Sequence, residues 1–128
     1  MSPARVLHLV VALALGIGAL VALPACGKQC PGAINLTVIT PAIYRFDKPS
    51  YQATAPPGCS LVVHFENQDV QSHSLVFEGA DGVSFGRRLL AGGVAKTYSV
   101  KAKAGAYTLY CDVPGHREGG QQATLAVG

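Results

Sequence analysis

Cys111, His116 and Gln121 stand in one eleven-residue stretch, CDVPGHREGGQ, with four residues between each and the next. A thiolate, an imidazole and a weak amide oxygen donor are thus offered by a single turn. His73, upstream, supplies a second imidazole. Two imidazoles and one thiolate in a trigonal plane, with a weak and distant axial donor, suit a copper ion that cycles between Cu(I) and Cu(II). Met is the common axial donor, but the chain's single Met is Met1. An amide must serve instead, either Gln121 or its neighbour Gln122.

These donors need a frame. Ala106 to Cys111 (AYTLYC) reads as a strand that holds the thiolate on a rigid element, and Pro114-Gly115 turns the chain back to bring His116 beside it. His73 lies 38 residues before Cys111, so strand pairing has to bring it close. The rest of the mature chain offers such strands. Ile34 to Thr40 is rich in β-branched residues, Tyr51 to Ala55 runs into Pro56-Pro57-Gly58, and Ser74 to Phe77 is stopped by Gly79 to Gly82. In Leu61 to Glu66, Leu61, Val63 and Phe65 alternate with Val62, His64 and Glu66, the period of a half-buried strand. His64 falls on the polar face and is read as a surface residue. Gly92-Gly93 opens a turn, Ala95 to Lys101 and Ala106 to Cys111 are predicted to form a hairpin across Gly105, and Ala123 to Val127 closes the chain as a strand. No segment has a sustained helical period with caps. The expectation is an all-β Greek-key sandwich or barrel of about seven to eight strands.

The N-terminus carries a different message. Val6 to Leu23 is almost wholly apolar, is preceded by Arg5, and is followed by Pro24-Ala25-Cys26, the build of an export signal. The 49% hydrophobic composition is inflated by this leader, since beyond Cys26 no apolar run approaches the roughly 20 residues that span a bilayer. Leu23-Pro24-Ala25-Cys26 resembles the lipobox of bacterial lipoproteins, in which the Cys is acylated. Cleavage nearby, or retention of the leader as an anchor, are the alternatives. All three place the domain outside the cytoplasmic membrane. There is no twin-arginine pair, which implies export of the unfolded chain and metal loading outside. With Cys26 lipidated and Cys111 on a metal, Cys30 and Cys59 remain to form a disulfide in a compartment that permits one.

Charge excludes other functions. Without residues 1 to 25 the chain keeps nine Lys and Arg against seven Asp and Glu. Arg87-Arg88 and Lys101 with Lys103 are scattered among apolar and turn residues, so no basic stripe for nucleic acid exists. A phosphate-cradling Gly loop, paired carboxylates and a Ser nucleophile pattern are also absent, which argues against an enzyme.

Phe46 to the C-terminus resembles the cupredoxins, small type 1 copper proteins of the plastocyanin, amicyanin and pseudoazurin kind. The resemblance is carried by FDKPSYQATAPPGCSLVVHFENQD leading to His73, by GAYTLYCDVPGH, and by QATLAVG. It implies one copper ion held by His73, Cys111 and His116, with Gln121 where Met is usual, as in stellacyanin-like relatives. It further implies hydrogen bonds to the thiolate from Asn67 and the neighbours of His73. The edge of His116 is expected at the surface, ringed by Val113, Pro114, Gly115 and Gly119, as the docking patch for redox partners such as a membrane oxidase or reductase. The domains expected are residues 1–25 as signal peptide, 26–45 as tether and first strand, and 46–128 as the blue copper domain. One-electron transfer is the expected work; copper storage, delivery or sensing is the alternative.

Overall fold

The computed structural model describes the backbone of strand β1 (Ala33–Val38) and residues 44–128. Seven further strands follow: β2 (Ser50–Ala53), β3 (Leu61–Asn67), β4 (His73–Gly79), β5 (Ser84–Leu90), β6 (Ala95–Val100), β7 (Gly105–Tyr110) and β8 (Gln122–Val127). They form a three-stranded sheet, β1-β3-β6, and a five-stranded sheet, β2-β8-β7-β4-β5. The pairs β1 with β3 and β2 with β8 are parallel, and the other pairs are antiparallel. No helix occurs among the described residues, and none there is long and apolar enough to cross a membrane.

The strands form where a two-residue apolar period can be buried between two layers. In β3, Leu61, Val63 and Phe65 are buried, while His64 points outward and shares a 2.7 Å hydrogen bond with Thr97, its partner in register on β6. From the other sheet, Leu75 and Phe77 of β4, Leu109 of β7 and Leu125 of β8 meet them in one core. Each such side chain stabilises the fold by roughly 1.5–3 kcal/mol relative to exposure. The metal-binding candidates sit at one end of this core, on or beside β4, β7 and β8.

One expectation needs correction. Ala95 to Lys101 and Ala106 to Cys111 do not form a hairpin: β6 pairs with β3, whereas β7 pairs with β4 and β8 in the other sheet. Residues Lys101 to Ala104 cross between layers, because the apolar faces of β6 and β7 close the core from opposite sides. Strand β5 carried no clear alternation. It is a sheet edge, exposed along most of its length, and Gly86 breaks its period with φ +66° at a bulge where a Cβ would press on Val100 and Phe77.

Candidate metal centre

Strands β4 and β7 are neighbours, so His73, the first residue of β4, and Cys111, the residue after β7, are brought together by the sheet. The stretch 111–121 connects β7 to β8. Cys111 N–H donates to the Gln121 carbonyl at 3.1 Å and extends their ladder by one step. Gln121 therefore faces the interior with Ala123 and Leu125, and it is wholly buried, while Gln122 lies on the exposed face. Alternation along β8 separates the two amides. Between them the loop is tied turn by turn: His116 N–H to Val113 O, Gly119 N–H to Gly115 O, and Gln121 N–H to His116 O at 2.9–3.0 Å. Gly115, at φ +84°, takes the left-handed conformation that this reversal needs.

The side chains converge. One ligand atom each from His73, Cys111 and His116 lie within 4.8 Å of one another, and all three residues are buried. His73 Nδ1 is 3.1 Å from His116 Nδ1, and Cys111 Sγ is 3.5 Å from the same nitrogen. Metal–nitrogen bonds of about 2.0 Å and a metal–sulfur bond of about 2.3 Å at tetrahedral angles would separate such atoms by roughly 3.3 and 3.5 Å. Gln121 Oε1 lies 2.8 Å from His73 Nδ1, and its Nε2 is buried without a hydrogen bond.

The environment sets which atoms carry protons. Asp69 accepts a hydrogen bond from His73 Nε2 at 2.7 Å, with both side chains 1% exposed. Burial alone would raise the Asp69 carboxyl, but hydrogen bonds from His73 and from the Val70 and Gln71 amides outweigh it and hold the group below its ordinary range. An ionised Asp69 only accepts, so His73 Nε2 carries a proton and Nδ1 is the atom that faces the other donors. Burial, the largest cause, pushes His116 below the ordinary histidine value and favours its neutral ring. Lone pairs on two imidazoles, a sulfur and an amide oxygen thus face one buried point. Such acceptors repel unless a proton or cation lies between them, and a soft, nitrogen- and sulfur-loving cation fits this set.

The surrounding hydrogen bonds differ in part from expectation. Ser74, next to His73, donates its N–H to Cys111 Sγ at 3.3 Å; its hydroxyl donates to Asp112 Oδ1 at 2.6 Å and accepts from the Asp112 amide. Asn67 does not reach the thiolate. Its Nδ2 bonds the carbonyls of Gln71, Leu90 and Ala91, and its Oδ1 accepts from Asp69 N–H, so it fixes the loop that presents Asp69. Asp69 has one sequence signal, its place four residues before His73. The expected open edge at His116 is also corrected: the residue is 5% exposed, because Tyr44 stacks on it with ring centroids 4.1 Å apart and planes at 19°. Tyr44 had been assigned to the tether. Cys59 is disulfide-bonded, whereas Cys26, Cys30 and the leader lie outside the described residues.

No protein-family model matches the chain, and no curated protein does. Solved structures do. The dithionite-reduced auracyanin of the photosynthetic bacterium Roseiflexus castenholzii matches with 21% identity and a TM-score of 0.63, over 75% of this chain and 96% of that one. Auracyanin B matches at 20% identity and 0.61, over 75% and 88%. Auracyanin A, a "blue" copper protein of Chloroflexus aurantiacus, matches at 20% identity and 0.58, over 75% and 98%. The two-sheet architecture described here is accordingly a cupredoxin-like fold.

Proposed function

We propose that the chain is an exported type 1 copper protein that carries one electron at a time. The observation that supports this most is the buried convergence of His73, Cys111 and His116, with their ligand atoms within 4.8 Å of one another. Copper, when bound, supplies a one-electron couple. The chain's residues do the rest. His73 and His116 would offer ring nitrogens, Cys111 a sulfur held by the Ser74 amide, and Gln121 an amide oxygen. A strand-tethered site keeps these donors in place in both oxidation states, so little reorganisation accompanies each transfer. The likeness to auracyanins, one of them a "blue" copper protein, supports the same reading.

In this reading the partners are redox proteins, among them a membrane oxidase or reductase, and no substrate is transformed. The leader exports the chain, Cys26 carries lipid that holds the domain at a membrane surface, and Cys30 pairs with Cys59. Voltammetry and chelator competition on the copper-loaded protein test the assignment against copper storage or delivery. A reversible couple with copper retained against EDTA is expected of a carrier; an irreversible couple with copper surrendered readily would assign the chain to copper handling.

A further inference from the structure

Gly119 is not a glycine for its backbone, because it is absent from the residues with positive φ. A Cβ there would come within 2.7 Å of Tyr44 Cδ2, its nearest approach, ahead of the Gly115 carbonyl oxygen at 3.1 Å. The missing side chain is the seat of the Tyr44 ring. That ring lies face to face with His116, 4.1 Å between centroids, and reaches toward His73 at 6.4 Å. Tyr44 is itself half-buried, while Pro114, Gly115, Glu118 and Gly119 around it are exposed. One aromatic ring therefore stands between His116 and the solvent-facing rim of the loop.

We propose that Tyr44 is a positioning residue that caps the metal centre: its ring fixes the plane of the His116 imidazole and keeps water and competing ligands from it. The proposal rests on the metal-centre reading above. Residue and seat are far apart in sequence, and each constrains the other, since any side chain at position 119 displaces the ring. A stacked aromatic pair contributes a factor of roughly 2 to 13 to an equilibrium constant beyond the area it buries. By holding His116 against rotation away from the other donors, the cap would act on the rate at which a bound ion leaves.

The test is release of Zn(II), and separately of Cu(II), from the full chain to excess EDTA. Tyr44→Ala is expected to speed release about tenfold, Gly119→Ala to do the same with Tyr44 still present, and Tyr44→Phe to stay within about twofold of wild type. In the metal-free protein, the His116 ring protons are expected to lose their upfield ring-current shift in Tyr44→Ala and Gly119→Ala but not in Tyr44→Phe. If the ring-current shift is lost and release is unchanged, the cap is refuted. Equal damage from Tyr44→Phe and Tyr44→Ala would refute it too, because the stack would then not be the cause. Failure of the copper assignment reads differently: Cu(II) would give no thiolate charge-transfer band in any variant, while the zinc and ring-current measurements still decide the role of Tyr44.

Discussion

Asp69→Ala probes the organisation of the donors most sharply. The substitution leaves the His73 Nε2 proton in a pocket where that side chain is 1% exposed and its 2.7 Å acceptor has gone. A buried donor stripped of its partner costs about 1–3 kcal/mol. The Val70 and Gln71 amides also lose an acceptor, but both residues are exposed, so water can replace it at little cost. A loss of about 1–3 kcal/mol in the metal-free protein is expected, measured by urea unfolding. Asp69→Asn keeps an acceptor oxygen for Nε2 and is expected to lose only about 1 kcal/mol. In a competition titration the Ala variant should bind Cu(II) about 10- to 100-fold more weakly, since its His73 ring is no longer held in tautomer and orientation. If Asp69→Ala unfolds within about 0.5 kcal/mol of wild type and binds with unchanged affinity, Asp69 does not organise the centre.

Further outcomes follow from the same geometry. Gln121→Met replaces a hard amide oxygen by a thioether, which shifts preference toward Cu(I); the reduction potential should rise by at least about 59 mV, a tenfold change in relative affinity, whereas Gln122→Met, on the exposed face, should leave it unchanged. Glu78 is held below its ordinary value of 4.5 by hydrogen bonds from Arg117. Its folded pKa is depressed, so its contribution is present above pH 4.5 and lost as the pH falls through the folded value; Glu78→Gln should differ from wild type at neutral pH and converge with it in acid, by urea unfolding of the metal-free protein. In the proposed Cys30–Cys59 pairing, Cys30→Ser with Cys59→Ser opens a 30-residue loop and should cost about 3–4 kcal/mol in chemical denaturation; no change would show that these two cysteines are not paired.

The legible and illegible parts of this molecule divide along a physical line. The donors Cys111, His116 and Gln121 share one loop between adjacent strands, so their spacing carried most of the geometry. The strand β3 was readable because one face meets the core and the other meets water. Two-residue alternation on β8 also separates Gln121 from Gln122, though only once the ladder from Cys111 is known. What was hidden depends on distant partners. The hairpin expected across Gly105 failed because nothing local tells whether two consecutive strands pair or face each other across a core. Edge strand β5 buries too little to show a period. Asp69 and Tyr44 gain their roles only by packing against His73 and His116, and Asn67 turned from the thiolate to the loop carbonyls because three of them lie within its reach.

The central claim, that His73, Cys111 and His116 hold copper through a thiolate, is tested most directly by the visible absorption spectrum of the Cu(II)-loaded chain. An intense thiolate-to-copper charge-transfer band is expected in wild type and should vanish in Cys111→Ser. A wild-type protein that binds Cu(II) with no such band, or with a spectrum unchanged in Cys111→Ser, would contradict it.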